Sequence, residues 1–264
     1  MSNFIETFLV SGGSAILFMS AVFIIARHFR RYDFVDAAWG WVFIVIAMCS
    51  FVLQPGVLLQ FDIQSLAVLL VAIWGVRLSW HILRRIIATD VEDHRYVELR
   101  NKWRGNVAVN TYIRIYLVQS ILALLILVPV VFINSSPDYD IGAWAVVGVI
   151  VWCAGFIIEA VGDTQLRAFT RSNHKSGSLM KTGLWKYSRH PNYFGELTQW
   201  WGIFIIALAI PFGWLTIIGP ILITYLICFV SGIPLAEKRL SGRSGWHEYK
   251  KRTSTLIPLP RRTR

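Results

Sequence analysis

The chain has 264 residues, 55% of them hydrophobic, with 26 Lys+Arg against 15 Asp+Glu and a mean hydropathy of +0.54. A soluble domain is about 45–50% apolar, and here the excess is gathered into long runs, which excludes an ordinary water-soluble globule. Three cysteines, Cys49, Cys153 and Cys228, are dispersed within apolar runs; this excludes a disulfide framework and gives no metal-ligand spacing.

A bilayer core takes about 20 mostly apolar residues per helix. Runs near 8–26, 37–54, 63–83, 113–133, 142–162, 196–210 and 214–235 reach or approach that length, the sixth being short. The expected fold is all-α: a polytopic membrane helix bundle of about seven spans, one integral membrane domain over 1–264. The first run is followed by Arg27, Arg30 and Arg31 and lacks a basic leader and a small-residue cleavage site, which reads as a retained helix. Asp36 opens the second run beside Trp39 and Trp41. Arg77, His81 and Arg84 share one face of the third. The charged stretch 84–111 includes Arg95, Tyr96 and Trp103, suits an interfacial helix, and breaks at Gly105 and Asn106. Glu159, Asp163 and Arg167 stack at i, i+4 and i+8 toward the end of the fifth run. Gly177 and Gly183 punctuate the next polar element. Pro211-Phe212-Gly213-Trp214 reads as a tight hairpin between the sixth and seventh runs, and a basic tail begins at Glu237.

Charge placement predicts the topology. With the N-terminus outside, the outer segments are 1–7, about 55–62, about 134–141 and about 211–213, and none holds a Lys or Arg. All 26 basic residues fall in 27–31, 77–114, 167–189 and 238–264, which become the cytosolic face together with the C-terminus. The net charge of +11 is therefore a topology signal, with membrane lipids as partners and no nucleic-acid motif. The expected location is a bacterial inner membrane, with the site facing the cytoplasm.

The densest polar motif is Gly183-Leu-Trp-Lys-Tyr-Ser-Arg-His-Pro-Asn-Tyr-Phe-Gly-Glu196. Pro191 keeps His190 extended and can open a helix, whose N-terminal amides favour an anion. Arg189 and His190 flank that end, and the arginine fork matches phosphate or carboxylate. A carboxylate as deep as Glu159 or Asp163 is costly in a membrane and reads as functional, binding ribose hydroxyls or an amide. Structural readings stay open for each: an interfacial turn anchored by Trp and Tyr, an internal Asp163–Arg167 pair, and a tail held on anionic lipid. No metal site is expected. His81 is the leading proton donor, its proton being exchangeable near neutral pH, with Asp36 and Tyr96 next in line.

These motifs resemble the steroid 5α-reductases and their bacterial relatives, and more distantly the sterol C14-reductases and isoprenylcysteine methyltransferases. The resemblance covers 142–260, which it implies is the cofactor-binding half. It rests on Glu159-x3-Asp163-x2-Leu166-Arg167, on the 183–196 motif, and on Tyr249-x7-Ile257-Pro258. Asp36-Ala-Ala-Trp-Gly40 and Trp74-Gly-Val-Arg-Leu78 extend it to the first half. It implies a membrane reductase that binds NADPH from the cytosol. Asp163, Arg167, Asn192, Tyr193 and Glu196 would line the pocket, and Arg239 and Tyr249 would join from the tail. The chain departs from that pattern at three points. The family's Gln-Glu pair is absent from the second run, His81 stands where the family has Tyr, and Glu159 stands where it has Asn. The expected function is NADPH-dependent reduction of a conjugated double bond in a lipid-like substrate. The alternative is an S-adenosylmethionine-dependent methyltransferase, because Arg189 to Gly195 also satisfies the Arg-His-Pro-x-Tyr-x-Gly signature of the isoprenylcysteine enzymes. A non-catalytic lipid-binding protein is the third reading.

Overall fold

The computed structural model describes residues 2–53, 62–89, 91–136, 140–172 and 177–261, and among them every regular element is helical. The all-α expectation holds. Six helical stretches are long and apolar enough to cross a membrane: Asn3–His28, Phe34–Val52, Ile63–Ile87, Val107–Ile126, Ala143–Arg171 and Gly213–Leu240. The helix that carries the short sixth run, Pro191–Ala207, has 17 residues. Large apolar side chains such as Leu17, Ile24, Ile150 and Phe229 are exposed, which suits contact with lipid. The chain is an integral membrane protein. Of the outer segments expected near 55–62 and 134–141, residues 55–61 and 137–139 lie outside the described residues.

The described residues form two compact units, Met1–Gly142 with Ala207–Ile218, and Ala143–Ile206 with Gly219–Arg264. In the first unit α1 (Ser2–His28), α2 (Phe34–Val52) and α3 (Ile63–Ile87) pack together. Asp62 caps α3 by accepting from the Ser65 amide at 2.8 Å. Helices α2 and α3 meet at Gly40 and Gly75, where a Cβ on Gly75 would lie 2.7 Å from the Gly40 carbonyl oxygen. A polar segment then holds α4 (His94–Asn101), with Asp93 as its cap. The break expected at Gly105 and Asn106 is present: Asn106 caps α5 (Val107–Thr111). That helix runs through a π turn at Tyr112–Leu117 into α6 (Val118–Ile126). The single run expected over 113–133 is instead interrupted at Leu127, because Pro129 sits in the first turn of the separate α7 (Val128–Asn134). The expected hairpin is a turn with Phe212 at φ 67°, leading into a 3-10 turn at Gly213–Ile217 that packs on α7.

The second unit begins with α8 (Ala143–Arg171), continues through a 3-10 turn at Gly183–Lys186, and enters α9 (Pro191–Ala207). After α10 (Ile218–Tyr225) and a π turn at Leu226–Val230 come α11 (Ile233–Leu240) and α12 (Trp246–Arg252). Helices α8 and α9 touch along glycines spaced seven apart, Gly148, Gly155 and Gly162 on one and Gly195 and Gly202 on the other. A Cβ on Gly155 would lie 2.6 Å from the Gly195 carbonyl oxygen, and a Cβ on Gly202 would lie 2.8 Å from that of Gly148. A seven-residue repeat keeps one stripe facing the partner helix, and small residues on that stripe let the backbones close. This seam fixes the polar residues that α8 and α9 carry between the glycines.

Candidate cofactor site

The 183–196 motif is built on α8. Gly183 adopts a left-handed φ of 59°, and the next amide, of Leu184, donates to Gln165 Oε1 at 2.9 Å. The Trp185 indole donates to the Gly162 carbonyl at 3.1 Å. Pro191 opens α9, as its missing amide hydrogen favours. One residue on, Asn192 Nδ2 donates to Asp163 Oδ1 at 3.2 Å. The His190 ring stacks on Tyr193 with centroids 5.4 Å apart and planes 11° from parallel.

The C-terminal segment lies against this motif. Ser188 and Ser254 form a parallel bridge, and the Arg189 amide donates to the Ser254 carbonyl at 2.8 Å. Ser188 Oγ donates to the Leu256 carbonyl at 2.7 Å, and the Leu259 amide to the Tyr187 carbonyl at 3.1 Å. Tyr249 donates its hydroxyl to the Trp185 carbonyl at 2.7 Å. The Arg189 guanidinium is 5% exposed. It donates to Glu237 Oε1 at 2.8 and 2.6 Å, to the Lys250 and Thr253 carbonyls at 3.0 and 2.6 Å, and to Thr255 Oγ1 at 2.9 Å. A fork that looked suited to phosphate is thus engaged with acceptors inside the protein.

These pieces enclose a cavity of about 420 Å³, within the range of cofactor pockets. Six sequence-predicted residues line it: Arg189, His190, Asn192, Tyr193, Arg239 and Tyr249. Arg243 joins them and is held by donating to the Ser178 carbonyl at 2.8 Å. The described lining holds three arginines and no carboxylate. Asn192 Oδ1 is buried and has no hydrogen-bond partner among the described residues.

Glu159, Asp163, Arg167 and Glu196 are not among the lining residues. Asp163 reaches the cavity through Asn192. Glu159 lies deeper in the α8–α9 seam, 2% exposed, and accepts from Gln199 Nε2 at 2.5 Å. Arg167 and Glu196 are half-buried. The carboxylates read as one helix face therefore serve different neighbours. The sequence reading missed Gln199, Gln165, Arg243 and the role of Glu237. The glycine spacing was a visible signal for the seam that places Gln199.

Burial first, an opposing pull from Glu237 second and the Arg189 cation third set the His190 imidazole at about 4, below its usual 6.5. The folded state keeps this ring neutral where the unfolded chain protonates it. Its contribution to stability is complete above about pH 6.5 and is lost as pH falls toward about 4. Melting temperatures are expected to fall across that window and to fall less steeply in His190→Gln. Equal slopes in the two proteins would show that other groups control the acid limb.

The three catalytic candidates lie in the first unit. Asp36 accepts from the Tyr96 hydroxyl through Oδ1 and from Arg95 Nη2 through Oδ2 at 2.7 Å. Arg95 also forks onto Asp93, at 3.0 and 2.9 Å. Asp33 takes a matching fork from Arg31, at 3.0 and 2.9 Å, and Glu92 takes one from Arg100. Burial and then the Asp36 charge push the Tyr96 hydroxyl well above its usual range, so it keeps its proton. His81 is half-buried on α3, and Arg84 lies over the Trp80 ring at 4.5 Å.

Over 113 residues the chain is 30% identical to "3-oxo-5-alpha-steroid 4-dehydrogenase 1" of Macaca fascicularis; the match spans 43% of this chain and 40% of that protein. This agrees with the steroid 5α-reductase-like resemblance of the motifs. No solved structure matches. Residues 22–253 match the family described as "Protein of unknown function (DUF1295)", and the chain belongs to that family.

Proposed function

We propose that the protein is a membrane reductase that takes NADPH into the 420 Å³ cavity and acts on a conjugated double bond of a lipid-like substrate. The observation that carries this reading is the charge of the cavity: Arg239 and Arg243 line it with no carboxylate among its described lining residues, while the third arginine there, Arg189, is paired with Glu237. Such a lining complements the phosphates of a dinucleotide. S-adenosylmethionine carries a sulfonium and no phosphate, so the same lining disfavours it.

The residues present fit NADPH. Arg239 and Arg243 supply cations to the lining, and Asn192 and Tyr193 line the cavity at the N-terminal turn of α9, an end that favours an anion. Asp163 holds the Asn192 side chain in place. When bound, NADPH supplies the hydride for C=C reduction. His81 is the proposed proton donor, as the imidazole that stands where the resembled reductases have Tyr; the Tyr96 hydroxyl donates to Asp36, whose other oxygen accepts from Arg95. The basic segments 27–31, 77–114, 167–189 and 238–264 support a site facing the cytoplasm of a bacterial inner membrane, with the N-terminus outside.

Thermal unfolding of the purified protein tests this. NADPH at about a hundredfold its Kd is expected to raise the melting temperature by about 5–10 °C, and S-adenosylmethionine to leave it unchanged. Asn192→Ala is expected to lose most of that rise. A rise with S-adenosylmethionine, or with neither compound, would refute the reading. NADPH added to inverted vesicles, and not to intact cells, is expected to reach the site.

A further inference from the structure

We propose that Glu237 is a positioning residue of this cavity, touching no ligand and acting through Arg189. The inference rests on the dinucleotide reading of the cavity. Glu237 lies near the end of α11, the helix that supplies Arg239 to the lining. Its Oε1 accepts two bonds from Arg189, and its Oε2 meets Lys250 Nζ at 3.0 Å. His190 Nε2 lies 3.7 Å from the same Oε1, beyond hydrogen-bond reach.

One carboxylate therefore joins three walls of the cavity. The first is α11, with Arg239. The second is the turn before α9, with His190 leading into Asn192 and Tyr193. The third is α12 and its continuation, with Tyr249. Arg189 is the other half of the joint, since its remaining N–H groups hold the Lys250 and Thr253 carbonyls and the Thr255 hydroxyl. Arg189 is buried and the Glu237 side chain is 15% exposed, so the guanidinium is held by these partners rather than by solvent. Removing the Glu237 charge leaves a buried guanidinium uncompensated between the turn and the tail, and the strain falls on the residues that line the cavity.

Purified full-length protein is tested with NADPH as the probe, by its Kd and by limited trypsin cleavage after Arg252. Glu237→Gln is expected to weaken NADPH binding by about tenfold to a hundredfold and to speed that cleavage. Glu237→Asp is expected to restore part of the affinity. NADPH is expected to slow the cleavage in the wild type. If Glu237→Gln does not fold, the double variant Arg189→Met/Glu237→Leu removes both buried charges together. It is expected to fold and still bind NADPH weakly. A folded Glu237→Gln or double variant with wild-type NADPH affinity would overturn the positioning role. Failure of the wild type itself to bind NADPH would instead overturn the dinucleotide reading, and is scored separately by the trypsin result.

Discussion

Gly195→Ala is expected to destabilise the protein by about 3 kcal/mol, the upper range for forcing a methyl into a packed interior. The added Cβ would lie 2.5 Å from the Glu159 amide nitrogen and 2.6 Å from the Gly155 carbonyl oxygen. Both are backbone atoms, so no side-chain rotation makes room, and α8 and α9 must part. Parting them draws Gln199 away from Glu159 and Asn192 away from Asp163, which leaves buried polar groups unpaired. Loss of NADPH binding is expected to accompany the loss of stability. Gly242→Ala is the control, because a Cβ there meets nothing within 4 Å. Equal melting temperatures for the two variants in the same detergent would show that the seam is looser than described.

His81→Ala is expected to lower turnover by about 10²–10⁴-fold, the usual loss when a general acid is removed, while the NADPH-induced rise in melting temperature persists. The assay follows NADPH oxidation with a 4-ene-3-one steroid as the probe substrate. The Tyr96 hydroxyl donates to Asp36, and Arg95 holds the other Asp36 oxygen, so this trio spends its hydrogen bonds on fixing α4 against the start of α2. Tyr96→Phe is accordingly expected to cost stability more than turnover. The reverse pattern, with turnover lost in Tyr96→Phe and kept in His81→Ala, would move the proton source to the Asp36–Tyr96 pair.

The Arg189 fork shows where reading the sequence stops. Its chemistry was legible, but its partner was not: Glu237 lies 48 positions away. The choice between a phosphate and an internal carboxylate depends on which groups the folded chain brings within reach. The Glu159, Asp163 and Arg167 stack shows the same limit. Helical spacing placed them on one face, and the crossing of α9 then gave Asn192 to Asp163 and Gln199 to Glu159. Leu127 is a smaller case. Hydropathy runs through it without a break, while Pro129 starts a new helix just beyond it.

By itself the sequence determined the helical class, the positions of most apolar segments, the start of α9 at Pro191 and the presence of a basic, hydrogen-bond-rich motif. These follow from hydropathy, helical period and proline chemistry, which act over a few residues. Only the tertiary structure decided which polar groups face the cavity and which hold its walls. That division depends on long-range pairing and on glycine-set helix approach, and a charged group buried by such pairing has no choice but to bind the partner the fold supplies.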